Sequence, residues 1–502
     1  VNENGVNELL RPHQIQPVRH LLGLFKSHRG LVDASDTGTG KTYVGAAVGA
    51  SLDVPALVIC PAIAQTAWRN AAAHFGTEFS VVSYDKLRLG HSGYGQWRNQ
   101  QAVDAGRKFS FQCQCCQRTI ELDGPNYFPC YTNALGIHCL VSKKSDISYG
   151  SFSFHPDIRL LLIDEGHRCG GLNSLNAEML IAAKRQGIPT LVMSATLAST
   201  PLQLRALGYL LDLHTLTPRG GLGFYDWAAR YGCRREAELG GYKWMVGEEK
   251  QSVIMQEIHS KIIPARGVRV RTCDIPGFPE RIVVSESYDL EEANKVQSLY
   301  QEMAQALMEL NERTATYADG PLQRIIAARQ KIELLKIPIA LSLTEDDLAK
   351  GRSVCIFASY RATLLELQKR LVEVDIIDGH CTGSARDAAI ERYQTNRRRV
   401  LLLNSQAGGI SISLQDLTGF FPRSGIVFPD PSAVVMKQVF GRLPRDGGKT
   451  LALYRVLFAA DTWEDSMARA LRYKANAIDT LNDGDCSPEN FRLTPATWTR
   501  TI

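Results

Sequence analysis

Ser35-Asp36-Thr37-Gly38-Thr39-Gly40-Lys41-Thr42 decides how the rest of this 502-residue chain is read. The apolar run Gly30-Leu31-Val32-Asp33-Ala34 precedes it and the small-residue stretch Tyr43 to Ala50 follows it. The spacing predicts a strand, a glycine loop, a Lys-Thr pair and a helix, the order that cradles the phosphates of a nucleoside triphosphate such as ATP. Gly38, Thr39 and Gly40 would let backbone N–H groups turn inward onto phosphate oxygens, and the helix start adds a positive dipole end. Lys41 would reach the β/γ-phosphates, and the Thr42 hydroxyl would sit on Mg²⁺. The first glycine of the usual G-x-x-x-x-G-K-T pattern is Ser35 here. An ordinary glycine turn is the competing reading, and the Lys-Thr pair with both flanks speaks against it.

A second site follows downstream. Leu160-Leu161-Leu162-Ile163 reads as a strand buried on both faces, and it ends in Asp164-Glu165-Gly166-His167. Carboxylates at the C-terminal edge of a parallel sheet face the same crevice as the phosphate loop. Asp164 would join Thr42 in holding Mg²⁺, and Glu165 would orient and deprotonate an attacking water. His167 is either part of this site or a polar loop residue. A third strand, Thr190 to Met193, ends in Ser194-Ala195-Thr196, whose hydroxyls at Ser194 and Thr196 can reach across to the acidic site.

The second half repeats the strand-helix alternation without a phosphate loop of its own. Ser353 to Ala358, Val400 to Leu403 and Gly425 to Phe428 read as buried strands. Gln438-Val439-Phe440-Gly441-Arg442-Leu443-Pro444-Arg445 then carries two arginines three apart, which could share one face of a helical turn. Arg442 and Arg445 are expected to reach the ATP held by the first half as arginine fingers; the plainer reading is a surface pair.

Composition sets the frame. With 44% hydrophobic and 22% charged residues the chain reads as globular, and its net charge of +5 permits a nucleic-acid partner without demanding one. No apolar run approaches membrane-spanning length and Val1-Asn2-Glu3-Asn4 does not resemble a signal peptide, so an intracellular protein is expected, cytoplasmic or nuclear if eukaryotic. Five of twelve cysteines crowd between Cys113 and Cys139. Cys113-x-x-Cys116 with Cys130 and Cys139, or His138 in place of Cys139, would hold Zn²⁺ in a structural site; buried free thiols are the alternative.

In order, these stretches resemble the motifs of superfamily 2 helicases, and most closely the Swi/Snf-type DNA translocase branch. Leu10-Arg11-Pro12-His13-Gln14 is similar to that branch's opening motif, which implies that Gln14 reads adenine. Asp164 to Arg168, residues 194–203 and the glycine-rich run Asn404 to Leu414 resemble its later motifs. Gln438 falls in the sixth motif, on the nucleotide side. The likeness implies that His167, Ser194, Thr196, Gly408 and Gly409 couple the nucleotide to movement. Thr462 to Asp465 and Lys474 resemble a tail that packs back across both domains. Two departures stand out: Ser411 replaces a usual glycine, and Gly441 replaces a usual aspartate.

The expected fold is therefore α/β, with two RecA-like parallel-sheet lobes, a zinc-binding insertion in the first lobe and helical additions. Residues 1–270 would form lobe 1, with the insertion at about 91–150 and an accessory protrusion at 205–260. Residues 271–350 would be a linker and helical element, and 351–502 lobe 2. The expected activity is ATP-dependent translocation on duplex, forked or branched DNA with little sequence preference, as in fork remodelling or branch migration. A compact phage or viral motor acting as a monomer fits this reading. A strand-separating DNA or RNA helicase is the first alternative, and a scaffold that has lost turnover the second. The alternating arginines at 266, 269 and 271 would line a DNA path or form a solvated strand edge.

Overall fold

Alternate residues of the strand before the phosphate loop enter different cores, Val32 on one side and Leu31 on the other. In this computed structural model the strand, β1 (Gly30–Asp33), lies inside a six-stranded parallel sheet. The described residues are 3–90, 92–97, 109–112, 119–122, 129–132, 138–140, 151–218, 221–236, 241–288, 292–312, 321–405, 412–460, 462, 464–484 and 496–500.

The other strands of this first sheet are β2 (Ala56–Cys60), β3 (Ser80–Ser83), β4 (Leu160–Asp164), β5 (Thr190–Met193) and β6 (Gly267–Val268). Their order is β6-β1-β5-β4-β2-β3, every neighbouring pair parallel. Strands buried on both faces need a layer on each side, and helices supply it. They include α1 (Pro12–Phe25), α2 (Lys41–Leu52), α3 (Gln65–His74), α4 (Leu175–Arg185) and α5 (Glu248–Ile262). The glycines and alanines of α2 let it lie close to the sheet: a Cβ at Gly45 would press on Trp68 and Met193.

The second sheet has seven parallel strands: β7 (Arg281–Tyr288), β8 (Ser353–Ala358), β9 (Val374–Ile377), β10 (Val400–Asn404), β11 (Arg423–Val427), β12 (Ala452–Ala459) and β13 (Ala496–Arg500). The order is β9-β10-β8-β11-β12-β7-β13. Within 271–350, expected as a linker and helical element, β7 pairs with β12 in register from Arg281↔Ala452 to Tyr288↔Ala459. Helices follow at Ala293–Glu312, Pro321–Leu335 and Ile337–Ala349.

Two further helices position the site. α6 (Ala433–Phe440) ends just before the arginine pair. α7 (Glu464–Asp483) crosses between the lobes. Its Met467, Ala468, Leu471, Ala475 and Ile478 enter the second lobe's core, whereas Ala477 and Leu481 enter the first lobe's. Its start is anchored by Glu464, buried against Lys336 Nζ at 2.5 Å and Tyr300 Oη at 2.7 Å. Among the described residues no helix is long and apolar enough to cross a membrane.

Candidate active site

The phosphate loop is shaped by its glycines. Gly38 and Gly40 have φ of 91° and 87°, and α2 starts at Lys41 with Gly40 as its left-handed cap. A side chain at Gly40 would collide with the Gln14 amide. That amide, at the start of α1, donates from Nε2 to Thr39 O at 3.1 Å, and His13 Nε2 lies 3.0 Å from the same oxygen. Lys41 Nζ donates to Ser35 O at 2.8 Å and Asp36 O at 2.9 Å, so its ammonium is folded over the loop's own carbonyls. Ser35 has a structural use where a glycine is usual: its Oγ accepts the Val270 N–H at 3.0 Å.

The acidic pair sits at the C-terminal end of β4. Trp68 Nε1 donates to Asp164 Oδ2 at 3.0 Å, and the Glu165 N–H donates to Asp164 Oδ1 at 3.0 Å. Tyr84 Oη donates to the Asp164 carbonyl at 2.7 Å. Glu165 itself holds a left-handed backbone, φ 53°, uncommon for a residue with a side chain. Burial, and then the neighbouring Glu165 charge, push the Asp164 carboxyl above its ordinary range. Burial also acts upward on Glu165, but the His167 hydrogen bond and the charges of Lys41 and Arg442 outweigh it and hold Glu165 ionised.

His167 is a junction rather than a loose loop residue. Its Nδ1 lies 3.3 Å from Glu165 Oε2, 3.2 Å from Ser194 Oγ and 3.4 Å from Thr196 Oγ1. Its Nε2 lies 3.4 Å from Gln438 Nε2 of the second lobe. An amide nitrogen only donates, so His167 Nε2 accepts and Nδ1 carries the proton toward Glu165. Ser194 and Thr196 thus reach the acidic site through this ring.

The second lobe closes the cleft. Gly441 abuts Thr37 so tightly that a Cβ there would collide with the Thr37 hydroxyl, and Arg445 Cδ lies 3.0 Å from where a Cβ of Gly38 would stand. Asp446 pairs with Arg11 across the same gap. Between the lobes lies a cleft of about 530 Å³ lined by Gln14, Lys41, Thr42, Asp164, Glu165, Arg442 and Arg445. The two arginines are not on a helical turn as the spacing suggests, since α6 stops at Phe440; the following loop delivers both. Arg442 is 1% exposed, and its Nε and Nη2, like Arg445 Nε, have no hydrogen-bond partner among the described residues. Burial, then repulsion by Arg445, lowers the Arg442 guanidinium to about 9, and burial lowers Arg445 as well. Two desolvated, under-paired cations facing a phosphate loop make a site that an anion would complete.

Gly408 and Gly409 lie outside the described residues, as do Cys113 and Cys116. Cys130 falls on the strand Pro129–Thr132, and His138 and Cys139 on His138–Leu140, which pair antiparallel. A zinc centre is therefore not shown. Among the described residues no group of His, Cys, Asp and Glu has the arrangement of a metal site. The Thr42 hydroxyl and Asp164 carboxylate nevertheless line one cleft, a hard-oxygen donor set that suits Mg²⁺.

Trp68 carries no sequence signal of its role, nor do Tyr43 and His74, which pack edge-to-face at 5.3 Å and line the same cleft as Gln14. An indole in an amphipathic helix carries no sign of which carboxylate it will meet.

Comparison with known proteins adds three findings. Residues 333–447, from before β8 through the arginine pair, match the helicase conserved C-terminal domain. A protein of Acanthamoeba polyphaga mimivirus named as an ATP-dependent RNA helicase is 26% identical over 501 residues, covering 98% of this chain and 87% of the relative. Structures of S. cerevisiae Dbp5 bound to RNA and ADP BeF3, in one case carrying a substitution, align over 94% of this chain and 93% and 95% of theirs, with 12% and 11% identity and TM-scores of 0.44.

Proposed function

We propose that this helicase-class enzyme, a nucleic-acid-stimulated ATPase of superfamily 2, is a DNA motor that moves along duplex, forked or branched DNA. The observation that carries the ATPase is the approach of Arg442 and Arg445 to the phosphate loop and acidic pair of the other lobe. Lys41 exchanges its carbonyl partners for phosphate oxygens when ATP enters, and Gln14 with Tyr43 and His74 forms the base end of the cleft. Glu165, kept ionised, accepts a proton from the attacking water, and His167 holds that carboxylate in place. Arg442 and Arg445 neutralise charge that develops on the transferring phosphoryl group. Thr42 and Asp164 would hold Mg²⁺, which would supply further charge neutralisation when bound.

Hydrolysis removes the anion that draws the arginines in, so the lobes separate and close once per turnover. The opening motif through Gln14, the Asp-Glu-Gly-His-Arg run and the Thr-Pro-Leu-Gln tail at 200–203 support the DNA branch. Gly408 and Gly409 would link this cycle to the nucleic acid. Both halves of the cleft come from one chain, which supports a monomeric motor. Buried reduced thiols at Cys60, Cys169 and Cys355 support an intracellular setting, and the mimivirus relative supports a viral one. A structural Zn²⁺ held by Cys113, Cys116, Cys130 and Cys139, or His138, rests on their spacing.

A second reading, an RNA helicase, is favoured by the name of the whole-length relative. ATPase rates measured with single-stranded DNA, blunt duplex, forks, four-way junctions and RNA, beside strand displacement, separate the two. Stimulation by duplex or junction DNA without simple unwinding is expected. Stimulation by RNA alone would overturn the DNA assignment and leave the ATPase standing.

A further inference from the structure

The phosphate loop has a second tie to the other lobe, separate from the arginine pair. After β6 the chain continues alongside the loop: the Ala34 N–H donates to Val268 O at 2.9 Å and the Asp36 N–H to Val270 O at 2.9 Å. Between these rungs Arg269 turns inward, its side chain 8% exposed, neither lining a groove nor solvated as its alternating neighbours suggest. Its guanidinium meets three groups. One nitrogen lies 2.8 Å from Asp36 Oδ1, a second donates to Ala34 O at 2.6 Å, and Nε donates to Asp483 Oδ1 at 2.7 Å. The second carboxylate oxygen of Asp36 accepts the Thr272 N–H at 2.9 Å. Burial opposes ionisation of Asp36, yet Arg269 and that N–H bring its carboxyl down to about 2.

Asp36 is a residue of the phosphate loop and its carbonyl holds Lys41. Asp483 is the last residue of α7, the helix whose start is fixed in the second lobe by Glu464. The neighbouring Asn482 donates to Ala195 O at 2.7 Å, within the Ser194-Ala195-Thr196 run that reaches His167. His259 Nδ1 of α5 lies 2.9 Å from Leu481 O. The end of α7 therefore reaches the loop that grips phosphate through Arg269, and directly touches the strand end that supports the acidic site.

We propose that Arg269 is a positioning residue of the ATPase, which sets the shape of the phosphate loop through Asp36 and, through Asp483, ties that shape to the position of α7. This rests on the ATPase reading of the cleft. A planar fork suits the task because it engages two carboxylates and a carbonyl at fixed angles, which an ammonium does not. Nucleotide binding and docking of the helix end then favour one another, since a coupling free energy acts in both directions.

The full-length chain is compared with Asp483→Asn and Arg269→Lys, both of which keep the volume of the site. Each variant is expected to raise KM for ATP about five- to tenfold while kcat stays within about twofold, because the bound loop remains competent. A fluorescent ADP analogue should show the same loss in direct binding. Hydrogen exchange over the last two turns of α7 should slow when ADP is added to the wild-type chain and no longer respond in Arg269→Lys. A lowered melting temperature with unchanged KM would reduce the cluster to a fold staple and overturn the proposal, as would helix exchange that ignores ADP in the wild type. If instead Lys41→Ala retains full hydrolysis, the assigned nucleotide site itself is wrong and the proposal falls with it.

Discussion

Gln438 Nε2 of the second lobe lies 3.4 Å from Glu165 Oε2 of the first, a contact between residues 273 positions apart in sequence. The same amide nitrogen is 3.4 Å from His167 Nε2. One side chain from the far lobe therefore reports on both the carboxylate proposed as base and the ring that orients it. A cleft assembled this way is sensitive to how closely the lobes approach.

Closure depends on the absence of a side chain at Gly441. In Gly441→Ala the new methyl group would meet the Thr37 hydroxyl, and neither lies at the end of a flexible side chain. The variant is expected to keep its melting temperature and lose ATPase by about 10- to 100-fold, as the lobes stay slightly apart. Adding Thr37→Gly, which removes both the hydroxyl and the Cβ that the new methyl group meets, should recover part of the rate. A double variant no better than Gly441→Ala alone would show that lobe spacing is not what the glycine protects.

Trp68 orients Asp164, and its ring is otherwise packed in the first lobe's core at 0% exposure. Trp68→Phe keeps most of the packing and removes the donor. Groups that hydrogen-bond metal-binding carboxylates commonly matter about 10- to 100-fold for metal affinity. The Mg²⁺ concentration giving half-maximal ATPase should rise within that range, with the rate at saturating Mg²⁺ much less affected. An unchanged Mg²⁺ requirement would mean that the indole serves packing alone.

His214 is 6% exposed among Phe224 and Trp227, and burial holds its pKa below the ordinary 6.5. Between the folded value and 6.5 the unfolded chain binds a proton that the folded chain refuses, so stability falls as the pH drops through 6.5. Above that pH this residue contributes no slope. Melting temperatures between about pH 5.5 and 7 should decline toward acid in the wild type and decline less in His214→Gln. Equal slopes would place the titrating group elsewhere.

The phosphate loop and the acidic pair were legible because their signals are local: an apolar strand, a turn of fixed chemistry and a helix start lie within one short stretch. The parallel α/β class followed from the same alternation. The arginine pair was legible as a pair, but the loop that carries it was not, because only the fold shows that α6 stops at Phe440. β7 was hidden for a related reason. Ile282 is 46% exposed while Ser285 is buried, so its pattern does not announce a strand, and its partner β12 lies far along the chain. Arg269 was misleading for the opposite reason, since alternating arginines suggest a solvent face and only its distant partner Asp483 turns it inward. Asp36, Trp68 and α7 share that character: each acts through residues remote in sequence.

In the proposed cycle ATP is gripped by the first lobe and its developing charge is met by guanidinium groups of the second. Steady-state ATPase of Arg442→Ala and Arg445→Ala, with binding of a fluorescent ATP analogue to the same preparations, tests it most directly. Hydrolysis is expected to fall by about 10³-fold or more in at least one variant while nucleotide affinity changes by less than about tenfold. Hydrolysis within a few-fold of the wild type in both variants would contradict it.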